Sequence, residues 1–343
     1  MEDERVRGVA EGLTRYYEGL HPERVDQVIT GIRDLTNGWE ADIYAFTLEF
    51  TEGDSRKEEE RVARLYHGGG VHNKAMNEFQ VMKTLNGAGY PVPEVYHLET
   101  EGSALGGPFI IMEWIKGMNL SPALRTPKYD ADALFSEFIR IWVQLHGLDG
   151  RSLIPDFPEG DTDVYLDMML ERGTARIEET GVSWLQPVVE WLRENKAEVT
   201  PEGLSILHQD YHTENVMVRE DGSLVVLDWT GTMPGDFRSD LAWSMLLMST
   251  YDDPNFRERI LHAYEKEIGR EITDIEFFDV LAVARRLLDV ASTFAVGAEQ
   301  MGMKAGAIES MRNSKDHYQK TYGLLVERTG IRLPEFEELL DSL

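Results

Sequence analysis

The sequence predicts an α+β protein of two lobes. A small N-terminal lobe carries an antiparallel sheet with one inserted helix, and a large C-terminal lobe is mainly helical. Three observations point there. The chain has 343 residues, more than one small core needs. From Ile43 to Trp114 the apolar residues fall in short strand-like runs, interrupted by one helical stretch. Beyond Gly117 helical periodicity dominates, broken by a strand-rich section from Leu204 to Trp229. The lobes are therefore drawn as residues 1–116 and 117–343.

Residues 1 to about 30 read as helical, because Val6, Val9, Leu13 and Tyr16 recur on one helix face; Pro22 is placed to open a second short helix. Ile43–Phe50 is strand-like, the polar run Thr51 to Glu60 reads as its turn, and Arg61–Tyr66 reads as the return strand. Gly68, Gly69 and Gly70 end that strand. Asn73 to Leu85 reads as a helix whose apolar content is Met76, Phe79, Val81, Met82 and Leu85. Gly87 and Gly89 stop it, and Pro91-Val92-Pro93 forces extended backbone. Glu94–Leu98 and Phe109–Trp114 are two further strands. Downstream, Ala131–Leu148, Val164–Glu179, Trp184–Lys196, Ile275–Ala298 and Ser310–Thr329 read as helices.

The net charge is −28, from 62 acidic and 34 basic residues. Such a surface repels nucleic acid and anionic membranes, so neither is expected as a partner, and no obligate protein partner is evident. There is no cysteine, which excludes disulfides, thiolate catalysis and cysteine-based zinc sites. The charged start Met1-Glu2-Asp3-Glu4-Arg5 is followed by no apolar run, and Leu224–Trp229 and Ala282–Val296 are too short or too charged to span a bilayer. A cytoplasmic location is expected.

Chemistry concentrates in Leu207-His208-Gln209-Asp210-Tyr211-His212-Thr213-Glu214-Asn215-Val216-Met217-Val218. A turn at Asp221-Gly222 leads to Leu224-Val225-Val226-Leu227-Asp228-Trp229. The pattern is H-x-D-x-x-x-x-N, a hairpin, and an Asp closing an apolar strand. Phosphoryl transfer needs these groups: one carboxylate to orient a hydroxyl and accept its proton, and an amide oxygen and a second carboxylate as hard ligands for Mg²⁺. Asp228 lies thirteen positions after Asn215, a spacing that suits two short strands and a tight turn. Singly, each residue is as well read as a helix cap or a turn residue; the set is harder to obtain by chance.

The segment resembles the protein-kinase catalytic loop and metal-binding Asp. It is more similar still to the aminoglycoside phosphotransferase and choline kinase-like family, in which the loop reads H-G-D-x-x-x-x-N and the metal Asp is often followed by Trp, as in Asp228-Trp229. Gly235-Asp236-Phe237-Arg238-Ser239-Asp240-Leu241-Ala242 resembles the same family's G-D-x-x-x-D-L-A signature. The resemblance runs from about Leu35 to Ala242 and implies a bilobal protein-kinase-like fold. It implies Asp210 as catalytic base, Asn215 and Asp228 as metal ligands, His208 as a brace for the loop, and Asp240 as cap of the following helix and its tie to the loop. One departure is Gln209, where the family has Gly.

The donor is expected in the first lobe. The turn containing Asn37 and Gly38 sits where the family has its phosphate-covering loop. Arg61-Val62-Ala63-Arg64 resembles the V-A-x-K strand, which implies Arg64 on the α- and β-phosphates and Glu78 as its ion-pair partner. Met112, Glu113 and Ile115 fall in the segment expected to meet the base, by flanking it or through backbone groups, and leave ATP and GTP undecided. The implied cofactors are Mg²⁺ and ATP or GTP. The implied acceptor is a small hydroxyl compound such as an amino sugar, antibiotic, sugar or amino alcohol, walled by the helices Val164–Glu179, Trp184–Lys196 and Phe277–Gln300. A protein kinase fits less well, because little chain separates Asp228 from the helix at Asp240 and no A-P-E follows. A silent nucleotide-binding scaffold would have no chemical need for Asp210, Asn215 and Asp228 together.

Overall fold

The structure is a computed structural model describing residues 2–36, 41–68, 70–102, 104–153, 157, 161–251, 253–301, 303 and 306–343. The chain divides into two compact units: Met1–Gly117 with Arg219–Thr230, and Met118–Val218 with Gly231–Leu343. The single cut near residue 117 thus leaves out the return of 219–230 to the first unit. Backbone and charge hold that return: Val226 N–H donates to Pro91 O at 2.8 Å, and Arg219 pairs with Glu113 at 2.7 Å.

The first unit comprises α1 (Glu2–Leu20), β1 (Val25–Asp34), β2 (Ala41–Glu52), β3 (Ser55–Tyr66), α2 (Val71–Gly87), β4 (Val95–Glu99) and β5 (Phe109–Glu113). The strands form one sheet in the order β1-β2-β3-β5-β4, each neighbouring pair antiparallel. Period-two alternation puts Phe46, Leu48 and Phe50, Ala63 and Leu65, and Phe109 and Ile111 on one face, where Leu13 and Tyr17 of α1 cover them. Each large side chain so buried contributes roughly 1.5–3 kcal/mol.

Two expectations fail in this unit. Residues 25–34 are a strand, where the sequence reading carried helix to about residue 30 with a second helix opened at Pro22. Val25, Val28, Ile29 and Thr30 are β-branched and pair with β2, Ile29 opposite Leu48. Two register shifts, beside the left-handed residues Asp26 (φ 55°) and Gly31 (φ 59°), scramble the alternation that would have marked the strand. The polar run 51–60 is not a turn either. The ladder continues to Glu52 opposite Ser55, leaving Gly53-Asp54 as the turn, with Gly53 left-handed at φ 61°. This end of the hairpin extends past the core, so it is polar on both faces and carries pairs such as Arg56–Glu49 at 2.9 Å.

In the second unit the chain runs through β6 (Gly117–Asn119), α3 (Leu120–Ala123), α4 (Ala131–His146), α5 (Thr162–Thr180), α6 (Gln186–Asn195), β7 (Ser205–Leu207) and β8 (Val216–Arg219). After β9 (Leu224–Val226), which belongs to the first unit, follow β10 (Met233–Gly235), α7 (Phe237–Tyr251), α8 (Phe256–Ile268), α9 (Ile275–Val296), α10 (Ala307–Arg312), α11 (Lys315–Thr329) and α12 (Pro334–Ser342). The helix expected over Ser310–Thr329 is thus two, α10 and α11. β7 pairs antiparallel with β10, Leu207 opposite Met233. Only glycine fits at 235: a Cβ there would lie 2.5 Å from Leu207 and 2.6 Å from Tyr165. α7 is buried around most of its circumference and α9 along most of its length, which puts them at the centre of the unit. Among the described residues no helix is long and apolar enough to cross a membrane.

Candidate active site

In the first unit, Arg64 lies on β3, the central strand, and its side chain is only 8% exposed. Glu78 joins Ala75, Met82 and Leu85 in the buried stripe of α2. A carboxylate in such a stripe requires partners. Arg64 Nε stands 3.3 Å from Glu78 Oε2, the Tyr66 hydroxyl donates to the same oxygen, and the Trp229 N–H donates to Glu78 Oε1 at 3.2 Å. Burial pushes the Glu78 carboxyl up, and the Arg64 charge offsets this only in part. Burial also works against the Arg64 charge, but Glu78 and Asp228 outweigh it and hold that pKa above its ordinary value.

Arg64 also donates to Asp228 Oδ1 at 3.0 Å, and Thr230 Oγ1 donates to the same oxygen at 2.8 Å. Asp228 is left-handed, φ 62°, which costs an ordinary residue roughly 1–2 kcal/mol. Trp229 beside it is buried, its ring nitrogen bonded to Val226 O at 3.0 Å and its ring edge-on to Tyr90. Met112 and Glu113 close β5, and Ile115 is buried just beyond. Glu113 N–H is spent on Glu94 O at 2.8 Å, which keeps that donor from a nucleotide base. Asn37 and Gly38 lie outside the described residues.

In the second unit, His208 to Asn215 link β7 to β8. Asp240 holds this loop from α7. Its Oδ2 accepts from His208 N–H at 3.0 Å, Trp142 Nε1 at 3.2 Å and His146 Nε2 at 3.1 Å, and its Oδ1 accepts from Gln209 N–H at 2.6 Å. Burial would raise the fully enclosed Asp240 carboxyl; the His146 bond and the His146 and His208 charges outweigh it and hold the pKa below the usual range. Asp240 does not cap α7: it sits inside the helix, and Asp236, just before the helix, accepts the Arg238 N–H at 2.9 Å as a cap does.

Gln209 is left-handed, φ 71°. Among the described residues four non-glycines have positive φ, and two of them are Gln209 and Asp228, both inside the motif. The conformation accounts for the glycine the resembling family carries at this place. Here Arg285 of α9 donates to Gln209 Oε1 at 2.7 Å and to Gln209 O at 3.3 Å.

The Asp210 side chain is 47% exposed and approached by three donors. Asn215 Nδ2 lies 3.0 Å from its Oδ2, His212 Nε2 3.3 Å from the same oxygen, and Trp243 Nε1 3.4 Å from Oδ1. Its backbone N–H meets His208 Nδ1 at 3.3 Å. Burial raises the carboxyl, but the bond and charge of His212, the His208 charge and the Trp243 donor carry it below the ordinary carboxylate range. Asn215 commits its nitrogen to the Asp210 carboxylate and carbonyl, the latter at 2.9 Å, which leaves its amide oxygen for another partner.

Sequence reasoning passed over Tyr66, Trp243 and Arg285. Trp243 had a signal, three residues after Asp240 and so on the same helical face. Arg285 had none, because its partner is 76 residues away in the chain.

Comparison with known proteins accords with this arrangement. The model of the phosphotransferase enzyme family matches residues 31–276, more than half of the chain, and the chain belongs to that family. Among solved structures, a Ralstonia eutropha protein assigned as an aminoglycoside phosphotransferase is 18% identical with a TM-score of 0.63, covering 92% of this chain and 98% of its own. Choline kinase LicA from Streptococcus pneumoniae is 16% identical with a TM-score of 0.56, covering 92% of this chain and 98% of its own. At such identities these likenesses establish the kinase-like fold alone. Among curated proteins, mouse acyl-CoA dehydrogenase family member 10 is 26% identical over 184 residues, 49% of this chain and 16% of that protein. Human acyl-CoA dehydrogenase family member 11 is 28% identical over 178 residues, 48% of this chain and 22% of that protein. The chain therefore spans less than a quarter of the length of either.

Proposed function

We propose that the chain transfers the γ-phosphoryl group of ATP or GTP to a hydroxyl of a small molecule, with Asp210 as base. The observation that carries this reading is the Asp210 carboxylate, half-exposed yet approached by donors from Asn215, His212 and Trp243. A carboxylate held below its ordinary pKa is a weak base. That suits phosphoryl transfer, whose loose transition state asks the base to orient the hydroxyl and take its proton late. A related solved structure, aminoglycoside phosphotransferase APH(4)-Ia with AMP-PNP and hygromycin B, supports a nucleotide and a small acceptor as the two ligands.

Asn215 and Asp228 are the candidates to hold Mg²⁺. An amide oxygen and a carboxylate are the hard donors this ion takes, usually one or two from protein with the rest from phosphates and water. When bound, the ion would neutralise charge on the phosphates. Arg64, braced by Glu78, would add a guanidinium to the same task.

The test is transfer from γ-labelled nucleotide to a panel of aminoglycosides, sugars, choline, homoserine and hydroxy acids, with Mg²⁺ present or chelated. Transfer to any member that stops on chelation is the expected result. Thermal stabilisation by Mg²⁺-nucleotide without transfer to any compound would favour a silent scaffold.

A further inference from the structure

The helices α5, α6 and α9 line a partly open cavity of about 190 Å³. Its body is apolar, formed by Leu170, Ile177, Val189, Leu192 and Leu281. An engineered cavity of about 150 Å³ lined by such side chains stays dry and takes up benzene, so this one has room for an apolar group of that size. Its polar lining is cationic: the guanidiniums of Arg172, Arg176 and Arg285 stand against the single carboxylate of Asp289.

That balance is unusual for this chain, in which acidic residues outnumber basic ones 62 to 34. Among the described residues Arg172 meets only the Met233 sulfur, at 3.9 Å. Arg176 meets the Met301 sulfur at 3.6 Å and Asp289 at 3.8 Å, and its buried Nε has no hydrogen-bond partner. Thioethers are weak acceptors, so both guanidiniums retain capacity for an anion. The third arginine ties the cavity to the chemistry. Arg285 bonds Gln209, the residue before Asp210, and lies 3.8 Å over the ring of Trp243, which donates to Asp210.

We propose that this cavity receives the phosphoryl acceptor and that the acceptor is a hydroxy acid. Its apolar body fills the cavity, its carboxylate meets Arg172 and Arg176, and its hydroxyl is presented to Asp210. The inference rests on the phosphotransferase reading and departs from the cationic amino sugar or amino alcohol that the sequence allowed. In the reaction the hydroxyl oxygen bonds to the γ-phosphorus as the bond to the β–γ bridging oxygen breaks. The nucleoside diphosphate leaves with that electron pair, and the hydroxyl proton passes to Asp210.

The experiment is a calorimetric titration, without nucleotide, of three ligands that share a phenyl ring and a hydroxyl: 3-phenyllactate, neutral 3-phenylpropane-1,2-diol and cationic 2-amino-1-phenylethanol. The acid is expected to bind at least tenfold more tightly than the other two. Arg172→Met with Arg176→Met should erase that preference. Ala284→Met, which fills the cavity and keeps its charge, should weaken the acid at least tenfold; circular dichroism melts report whether each variant is folded. Mg²⁺-ATP affinity, measured on the same samples, should stay within twofold of the parent. Equal or tighter binding of the cation, an acid affinity unchanged in the arginine variant, or no binding of the acid overturns the proposal. Phosphorylation of kanamycin without binding of the acid overturns it too, while leaving the phosphotransferase reading standing; loss of nucleotide binding in the parent protein would sink both.

Discussion

Replacing Asp240 by Asn tests whether one buried carboxylate holds the catalytic loop. The carboxylate accepts four hydrogen bonds, three at Oδ2 and one at Oδ1. An amide can offer its oxygen to one side only. In the better orientation the oxygen keeps His208, Trp142 and His146, and the new NH₂ group faces the Gln209 N–H. One buried N–H is then unpaired, at a cost of about 1–3 kcal/mol. The three surviving bonds change from a charged to a neutral acceptor and lose about 1 kcal/mol each. The sum is roughly 4–6 kcal/mol, and at about 1.4 °C per kcal/mol for a chain of 343 residues the melting temperature should fall by at least about 5 °C at pH 7. The sign with pH follows from the lowered carboxyl. A depressed folded-state pKa gives stability that is fully present above the unfolded value, about 3.9, and is lost as pH falls through the folded value. The gap between parent and variant should therefore not close between pH 7 and pH 5. Calorimetric melts across that range provide the measurement. A variant melting within 2 °C of the parent, or a gap that closes before pH 5, would refute the reasoning.

Three further outcomes are expected. Asp210→Asn should lower kcat at least about 100-fold and leave nucleotide affinity within twofold, read by steady-state kinetics and calorimetry. Arg64→Ala should destabilise by about 3–5 kcal/mol, because Glu78 stays buried without its cation; in urea titrations, adding Glu78→Leu should recover much of the loss, and a purely additive double variant would contradict the pairing. Gln209→Ala keeps the left-handed strain and loses the Arg285 bond, about 1.5–3 kcal/mol, whereas Gln209→Gly also sheds about 1–2 kcal/mol of strain. Chemical denaturation should thus find the glycine variant more stable than the alanine variant.

Strands whose faces differ in polarity were legible in the sequence. Ile43–Phe50 and Phe109–Trp114 alternate or run apolar because one face packs on the core. Val25–Asp34 was not, because two bulges shift its register and only Gln27 and Ile29 are buried. The outer end of the β2–β3 hairpin was missed for a related reason: with neither face on a core, its strands read like a loop. Arg64 was found through the resemblance of its strand, whereas Asp210, Asn215 and Asp228 were legible as a candidate set because phosphoryl transfer would need those residue types at short separations. The hold on Asp210 was not, since Trp243 and Arg285 come from α7 and α9, and no local rule joins a helix to a loop 76 residues upstream.

The strain at Gln209 shows why the loop depends on distant helices. A left-handed non-glycine persists only where its surroundings over-determine it. Here α7 holds the N–H of Gln209 through Asp240, and α9 holds its carbonyl and side chain through Arg285. Asp210 follows directly, so its direction is set by both helices together. With glycine at 209 the strain would vanish, and so would the side-chain link to α9. Glutamine carries about 1–2 kcal/mol of backbone strain and gains a fixed bond to the helix that lines the arginine-rimmed cavity.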